Sequence, residues 1–255
     1  MVDLSPAAED PIGYLQSLLH APEDQARQMI ADRDQVWREY GRLFHPDNLR
    51  RLTAEDFMGF LLYENNRHWW GIHRQRVAQT ADMNRLRAAL AVLLDESRPI
   101  EERLDWLRPR AGPKPIPGLG PAVMTPILHV VYPDRYGVWN SIAESAMTRL
   151  GLWPPFEWGW GFGQKYRSVN DAIRAAADAL GVDLWTIDTL WWVVERRHEP
   201  TRHQFEGGGS SSTTTGTARR SRVSEEFLCS ECYQWKPESR RSRSRSAVCK
   251  DCVEE

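Results

Sequence analysis

Nothing in the chain restricts its architecture more than Ile116-Pro117-Gly118-Leu119-Gly120-Pro121-Ala122 and the apolar run at 123–131 behind it. Two glycines one residue apart permit a hairpin with positive φ. Pro121 then stands where the first helical turn has no backbone partner to lose. The amides of such a helix start point outward and form a seat for an anion. The same letters also describe a plain Gly-Pro turn between two helices.

No segment ahead of residue 200 alternates as a strand does, so the fold class expected is all-α. With 41% hydrophobic residues in 255, the chain can bury one good core and carry a small appendage. The organisation expected is an N-terminal helical extension at 1–50, a main helical domain at 51–199, a flexible linker at 200–224 and a small module at 225–255. A net charge of −2 excludes a wholesale basic coat, so polyanion binding must rely on local patches. No apolar run reaches membrane-spanning length, and the first residues lack the basic-then-apolar profile of a secretion signal. The protein is expected in the cytoplasm, with no membrane partner.

Pro6 and Pro11 make the opening segment a poor helix. Residues 23–44 carry an apolar stripe at helical spacing, ended by His45-Pro46. The next helix starts at Thr53, whose hydroxyl can cap the amide of Asp56, and runs through Leu62. It delivers Glu64, Asn65, Asn66, His68, Trp69 and Trp70 at or past its end. Core packing accounts for the two tryptophans; alternatively they stack on an everted base while Asn65, Asn66 or His68 reads its edge. Helices follow over 82–94 and 99–107, then after Asn140 to Gly151, over 164–180 and over 183–197. Residues 153–163 hold too many prolines and glycines for regular structure and too many aromatics for a solvated loop, so they form either a lid on the core or a pocket wall. In the last helix Trp185, Asp188, Trp191 and Trp192 are spaced to share a side, and a carboxylate among tryptophans needs donors.

The run at 207–216 of Gly, Ser and Thr has nothing to bury and reads as a tether. Beyond it Cys229-x-x-Cys232 and Cys249-x-x-Cys252 have the spacing of a four-thiolate zinc site. Four ligands close the coordination sphere, so the single zinc is expected to be structural, and no catalytic metal is expected. Arg240, Arg241, Arg243 and Arg245 in the spacer are either a solvated loop or a second foothold on phosphates.

After the hairpin and its helix come Tyr132-Pro133-Asp134-Arg135-Tyr136-Gly137, then Val138-Trp139-Asn140 and a new helix. This order resembles the helix-hairpin-helix superfamily of base-excision DNA glycosylases over roughly residues 50–197. The resemblance implies that Gly118, Gly120, Ala122 and Thr125 hold the DNA backbone. It also implies that Trp139 joins Asn65, Asn66, His68, Trp69 and Trp70 around the base. The family's active aspartate falls at Asn140, so Asp188 and Glu64 are the carboxylates that remain as catalytic candidates beside it. Residues 60–70 and 183–192 are similar to a bacterial subgroup associated with phage defence, one member of which removes glucosylated cytosines from phage DNA. The function expected is a monofunctional glycosylase acting on double-stranded DNA. The alternatives are a non-catalytic module that recognises modified DNA for a partner nuclease, and a protein-interaction scaffold.

Overall fold

The computed structural model describes residues 9–20, 22–198, 226–228 and 235–237. Residues 2–197 form one compact unit and residues 198–255 fall in another. Among the described residues the first unit is entirely helical, with no helix long and apolar enough to cross a membrane. In the second, Glu226–Leu228 pairs antiparallel with Trp235–Pro237, Phe227 opposite Lys236. The expected linker, the four cysteines and the arginines of their spacer lie outside the described residues.

The chain opens with α1 (Pro11–His20), although Pro11 argued against a helix there; it stands at the first helical position, where a missing N–H costs nothing. Leu15 and Leu18 are buried. Helix α2 (Asp24–Leu43) follows, and then a 3-10 turn at Pro46–Arg51. Thr53 caps α3 (Ala54–Phe60): its hydroxyl accepts from the Asp56 amide at 3.1 Å, and Asp56 returns a bond to the Thr53 amide at 3.1 Å. The helix stops two residues earlier than its apolar pattern indicates. Asn65 Nδ2 takes the Gly59 carbonyl (2.8 Å) and Asn66 Nδ2 that of Phe60 (3.0 Å), so side chains replace the next helical amides. A single turn, α4 (Tyr63–Asn66), a 3-10 turn at Ile72–Gln75 and α5 (Arg76–Thr80) lead to α6 (Met83–Leu93) and α7 (Ile100–Leu107). Then come α8 (Pro121–Val131), α9 (Ser141–Arg149), α10 (Phe162–Leu180) and α11 (Leu184–His198).

Two apolar clusters stabilise the unit. The first gathers the C-terminal half of α2 with α3, α6, α7 and α8; the second gathers α1, the start of α2, α9, α10 and most of α11. Nine of the eleven residues of α8 are buried, and residues 184–194 of α11 are buried without a break. Both are central helices and not amphipathic ones. Trp185, Asp188, Trp191 and Trp192 therefore do not mark one exposed or buried side: Trp185 belongs to the first cluster, Trp191 and Trp192 to the second.

Helices cross closely where glycine allows it. A Cβ on Gly163 of α10 would lie 2.2 Å from the Glu101 carbonyl oxygen and 2.5 Å from its Cα, so α7 and α10 touch backbone to backbone. Gly163→Ala is expected to cost about 1–3 kcal/mol as the two helices separate, more than the up to ~1 kcal/mol that alanine's helix preference returns. A urea midpoint equal to or above that of the parent chain would refute this close contact.

Candidate functional site

The turn ahead of α8 is built as its letters indicate. Gly118 adopts φ 75°, and the Gly120 amide closes back on the Gly118 carbonyl at 2.9 Å. One side of this turn is sealed: Gln79 Nε2 donates to the Gly118 carbonyl (2.7 Å), and a Cβ on Gly118 would lie 2.6 Å from that of Gln75. Gly120 is buried, Gly118 and Ala122 are half-buried. Pro121 has no N–H and the Val123 amide turns back to Gly120, which leaves the Ala122 amide without an acceptor among the described residues. Thr125 lies one turn into α8 and is fully buried. Its hydroxyl donates to the Pro121 carbonyl (2.8 Å) and accepts from the Trp139 amide (2.9 Å). Thr125 thus fastens the segment that precedes α9 to the helix behind the glycine turn.

That segment is fixed from other directions too. Asn170 of α10 accepts from the Gly137 amide (2.7 Å) and donates to the Arg135 carbonyl (2.9 Å), while Tyr166 donates to the Gly137 carbonyl (2.8 Å). Buried Arg103 of α7 donates to the Leu93 carbonyl (2.8 Å) and the Tyr136 hydroxyl (2.6 Å), and it pairs with Glu96 (2.8 Å). Burial raises the Glu96 pKa, but hydrogen bonds from Tyr136 and Arg135 and the charge of Arg103 outweigh it and hold the carboxyl below its ordinary value.

At the end of this clamped loop Asn140 N-caps α9, its Oδ1 accepting from the Ala143 amide at 2.9 Å. An aspartate would cap the helix equally well; the amide differs in carrying no charge. Glu144 follows at i+4, on the same side of α9. Its carboxylate accepts from the Trp139 indole at 3.2 Å and has no basic partner among the described residues. Burial raises its pKa above the ordinary glutamate value, against the smaller opposing effect of the indole bond. Trp139 packs on Trp153 (5.4 Å), Phe156 (5.9 Å) and Phe162 (5.2 Å), and Lys165 lies over Phe156 at 5.7 Å. All of these side chains are half-buried, so each keeps part of its surface exposed. Trp158, at the tip of the 153–163 segment, is wholly exposed, and Arg110 holds the tip by donating to the Gly159 carbonyl.

The other sequence-derived candidates fall in two places. Glu64, Asn65 and Trp70 are on the surface, Trp70 stacked on Tyr63 with ring centroids 3.6 Å apart. Asn66, His68, Trp69 and Asp188 are buried together. The Asn66 oxygen accepts from the amides of His68 (2.9 Å) and Trp69 (2.7 Å), and its nitrogen bonds the carbonyls of Phe60, Leu62 and Trp69. With both groups committed to backbone, Asn66 holds the 67–70 loop in place, where Arg67 takes a left-handed φ of 56°. Asp188 Oδ2 accepts from His68 Nε2 and from the Trp69 indole, each at 2.9 Å. Trp185 packs over His68 at 4.2 Å and over His129 at 5.9 Å, its own indole donating to the Met29 carbonyl at 2.7 Å. Asp188 is only 5% exposed, so the network is closed to solvent.

Two residues that the sequence reading passed over complete the picture. Glu144 carries a signal of its own, since an acid four residues past a helix cap must share the cap's side. His129 lies one turn beyond Thr125 on α8; its Nδ1–H donates to the Tyr136 carbonyl (2.8 Å), and burial drives its pKa down to about 4. Among the described residues no group of three or more His, Cys, Asp or Glu side chains is placed to hold a metal ion. Comparison with family models, with curated proteins and with solved structures returns no match.

Proposed function

We propose that the chain is a monofunctional DNA glycosylase, which flips a modified base out of double-stranded DNA and breaks its bond to the sugar, leaving an abasic site. One observation carries the reading: Thr125 ties the glycine turn and the start of α8 to the Asn140-capped start of α9. The N-terminus of α8 and the partly exposed aromatic cluster around Trp139 are thereby joined through one side chain. The Ala122 amide, with no acceptor among the described residues, and the α8 N-terminus suit a backbone phosphate. Trp139, Trp153 and Phe156 offer faces on which an extruded base stacks. Lys114 and Lys165 are the only lysines ahead of residue 200, and neither is in the glycine turn, so hydrolysis is favoured over a Schiff-base lyase reaction. The substrate that fits the resemblance is a hypermodified, glucosylated cytosine of phage DNA, and the setting is anti-phage defence in the cytoplasm. Cys229, Cys232, Cys249 and Cys252 hold one structural zinc in this reading and take no part in the chemistry.

The test uses the full chain and duplex DNA carrying unmodified, hydroxymethylated or glucosylated cytosine, followed by alkali. Strand breaks that appear only after alkali, on modified DNA alone, are the expected result. Asn140 at the head of α9 favours a second reading, a binding module for a partner nuclease; retarded DNA that stays intact through alkali would establish it. DNA that is neither cut nor retarded at low salt would leave the scaffold role.

A further inference from the structure

Asn140 caps α9 but has no ionisable group, so a hydrolase built around it lacks the charge that an oxocarbenium-like transition state requires. Asp188 has its carboxylate sealed among His68, Trp69 and Trp185, and Glu64 is exposed on the surface with no hydrogen-bond or ion-pair partner among the described residues to form a site. We propose that Glu144 is the catalytic carboxylate of this site. The proposal rests on the glycosylase reading and names the residue that does its chemistry.

Glu144 meets the geometric requirements that the other two acids fail. It stands one turn past Asn140 on the same side of α9, hydrogen-bonded to Trp139 of the aromatic wall and itself half-buried. Its single hydrogen bond comes from the Trp139 indole, which fixes the carboxyl orientation and leaves Oε1 uncommitted. Among the described residues no basic side chain pairs with it: Arg149 on its own helix is bound to Glu195, and Lys165 of α10 lies over Phe156. A carboxylate shielded in this way is a stronger base than an exposed one, consistent with its raised pKa.

In the reaction, Glu144 takes a proton from water as the water oxygen bonds to C1′ of the sugar. The C1′–N bond breaks at the same time, and its electron pair leaves with the base. The proton on Glu144 then passes to the departing nitrogen, so one water is consumed and the carboxylate is restored. Asn140, by its side-chain amide, orients the water or the sugar.

Trp139 and Glu144 also occupy the positions of a hydrophobic staple, one before the cap and one in the next turn, so a purely structural role must be separable. Glu144→Gln keeps the volume and an oxygen for the indole while removing the base. With duplex DNA that the parent chain converts to alkali-labile sites, Glu144→Gln is expected to slow single-turnover base release by about 100-fold or more, with DNA affinity and thermal midpoint unchanged. The parent rate is expected to fall on acidification through a pKa above the ordinary glutamate value, and that limb should vanish in the variant. Base release within a few-fold of the parent overturns the assignment while leaving the glycosylase reading intact. If Glu144→Gln fails to fold, the acid limb of the parent decides, and its absence counts against Glu144. A parent chain that produces no alkali-labile site on any of the three DNAs removes both proposals together.

Discussion

Asp188→Ala is expected to lower the folding free energy by about 3–5 kcal/mol, the scale at which a buried charge partner is lost without replacement. The substitution leaves His68 Nε2 and the Trp69 indole as donors with no acceptor and opens a small void against Trp185. Set against the roughly 5–15 kcal/mol of an ordinary domain, this is a large fraction of the total. Urea denaturation measures it directly. Asp188→Asn retains one carbonyl oxygen and should cost less, since one of the two donors stays satisfied. If instead Asp188→Asn keeps parental stability and DNA affinity but releases no base, Asp188 is the active acid and the assignment to Glu144 is wrong.

The second large effect is acid sensitivity from His129. Burial lowers its pKa from 6.5 to about 4, against the Tyr136 carbonyl bond and the charge of Asp188, both of which favour the proton. In the unfolded chain the same imidazole titrates near 6.5, so below that value the unfolded state binds a proton that the folded state refuses. Stability is complete above pH 6.5 and declines down to about pH 4. At about 1.36 kcal/mol for each tenfold in proton affinity, the loss is roughly 2 kcal/mol between pH 7 and 5 and roughly 3 kcal/mol by pH 4. His129→Gln should lower stability at pH 7, because packing against Trp37, Trp69 and Trp185 is disturbed, yet flatten this part of the pH profile. A slope unchanged in the variant would assign the sensitivity to another group.

The local features of the fold were legible in sequence because each depends on residues close along the chain. Thr53 announces its cap through Asp56 three residues on, and the paired glycines with Pro121 announce the start of α8. The long-range features were not. His68 and Asp188 are 120 residues apart, and no spacing rule joins them; their partnership follows from α11 being enclosed on every side, which its tryptophans concealed by mimicking an amphipathic stripe. The early end of α3 escaped notice because asparagine side chains bonding back to carbonyls leave no periodic trace. The resemblance points to Asn140, while only the structure shows that Glu144, with a plain helical relation to it, has no basic partner among the described residues.

Trp139 packs against both apolar clusters. Its backbone amide donates to the Thr125 hydroxyl of α8 and its indole N–H to the Glu144 carboxylate of α9. A nucleobase resting on that ring, as proposed, would contact a residue shared by both clusters of the helical unit. If the proposed base does stack there, its binding is expected to stabilise the two clusters together, as a rise in the thermal midpoint would show.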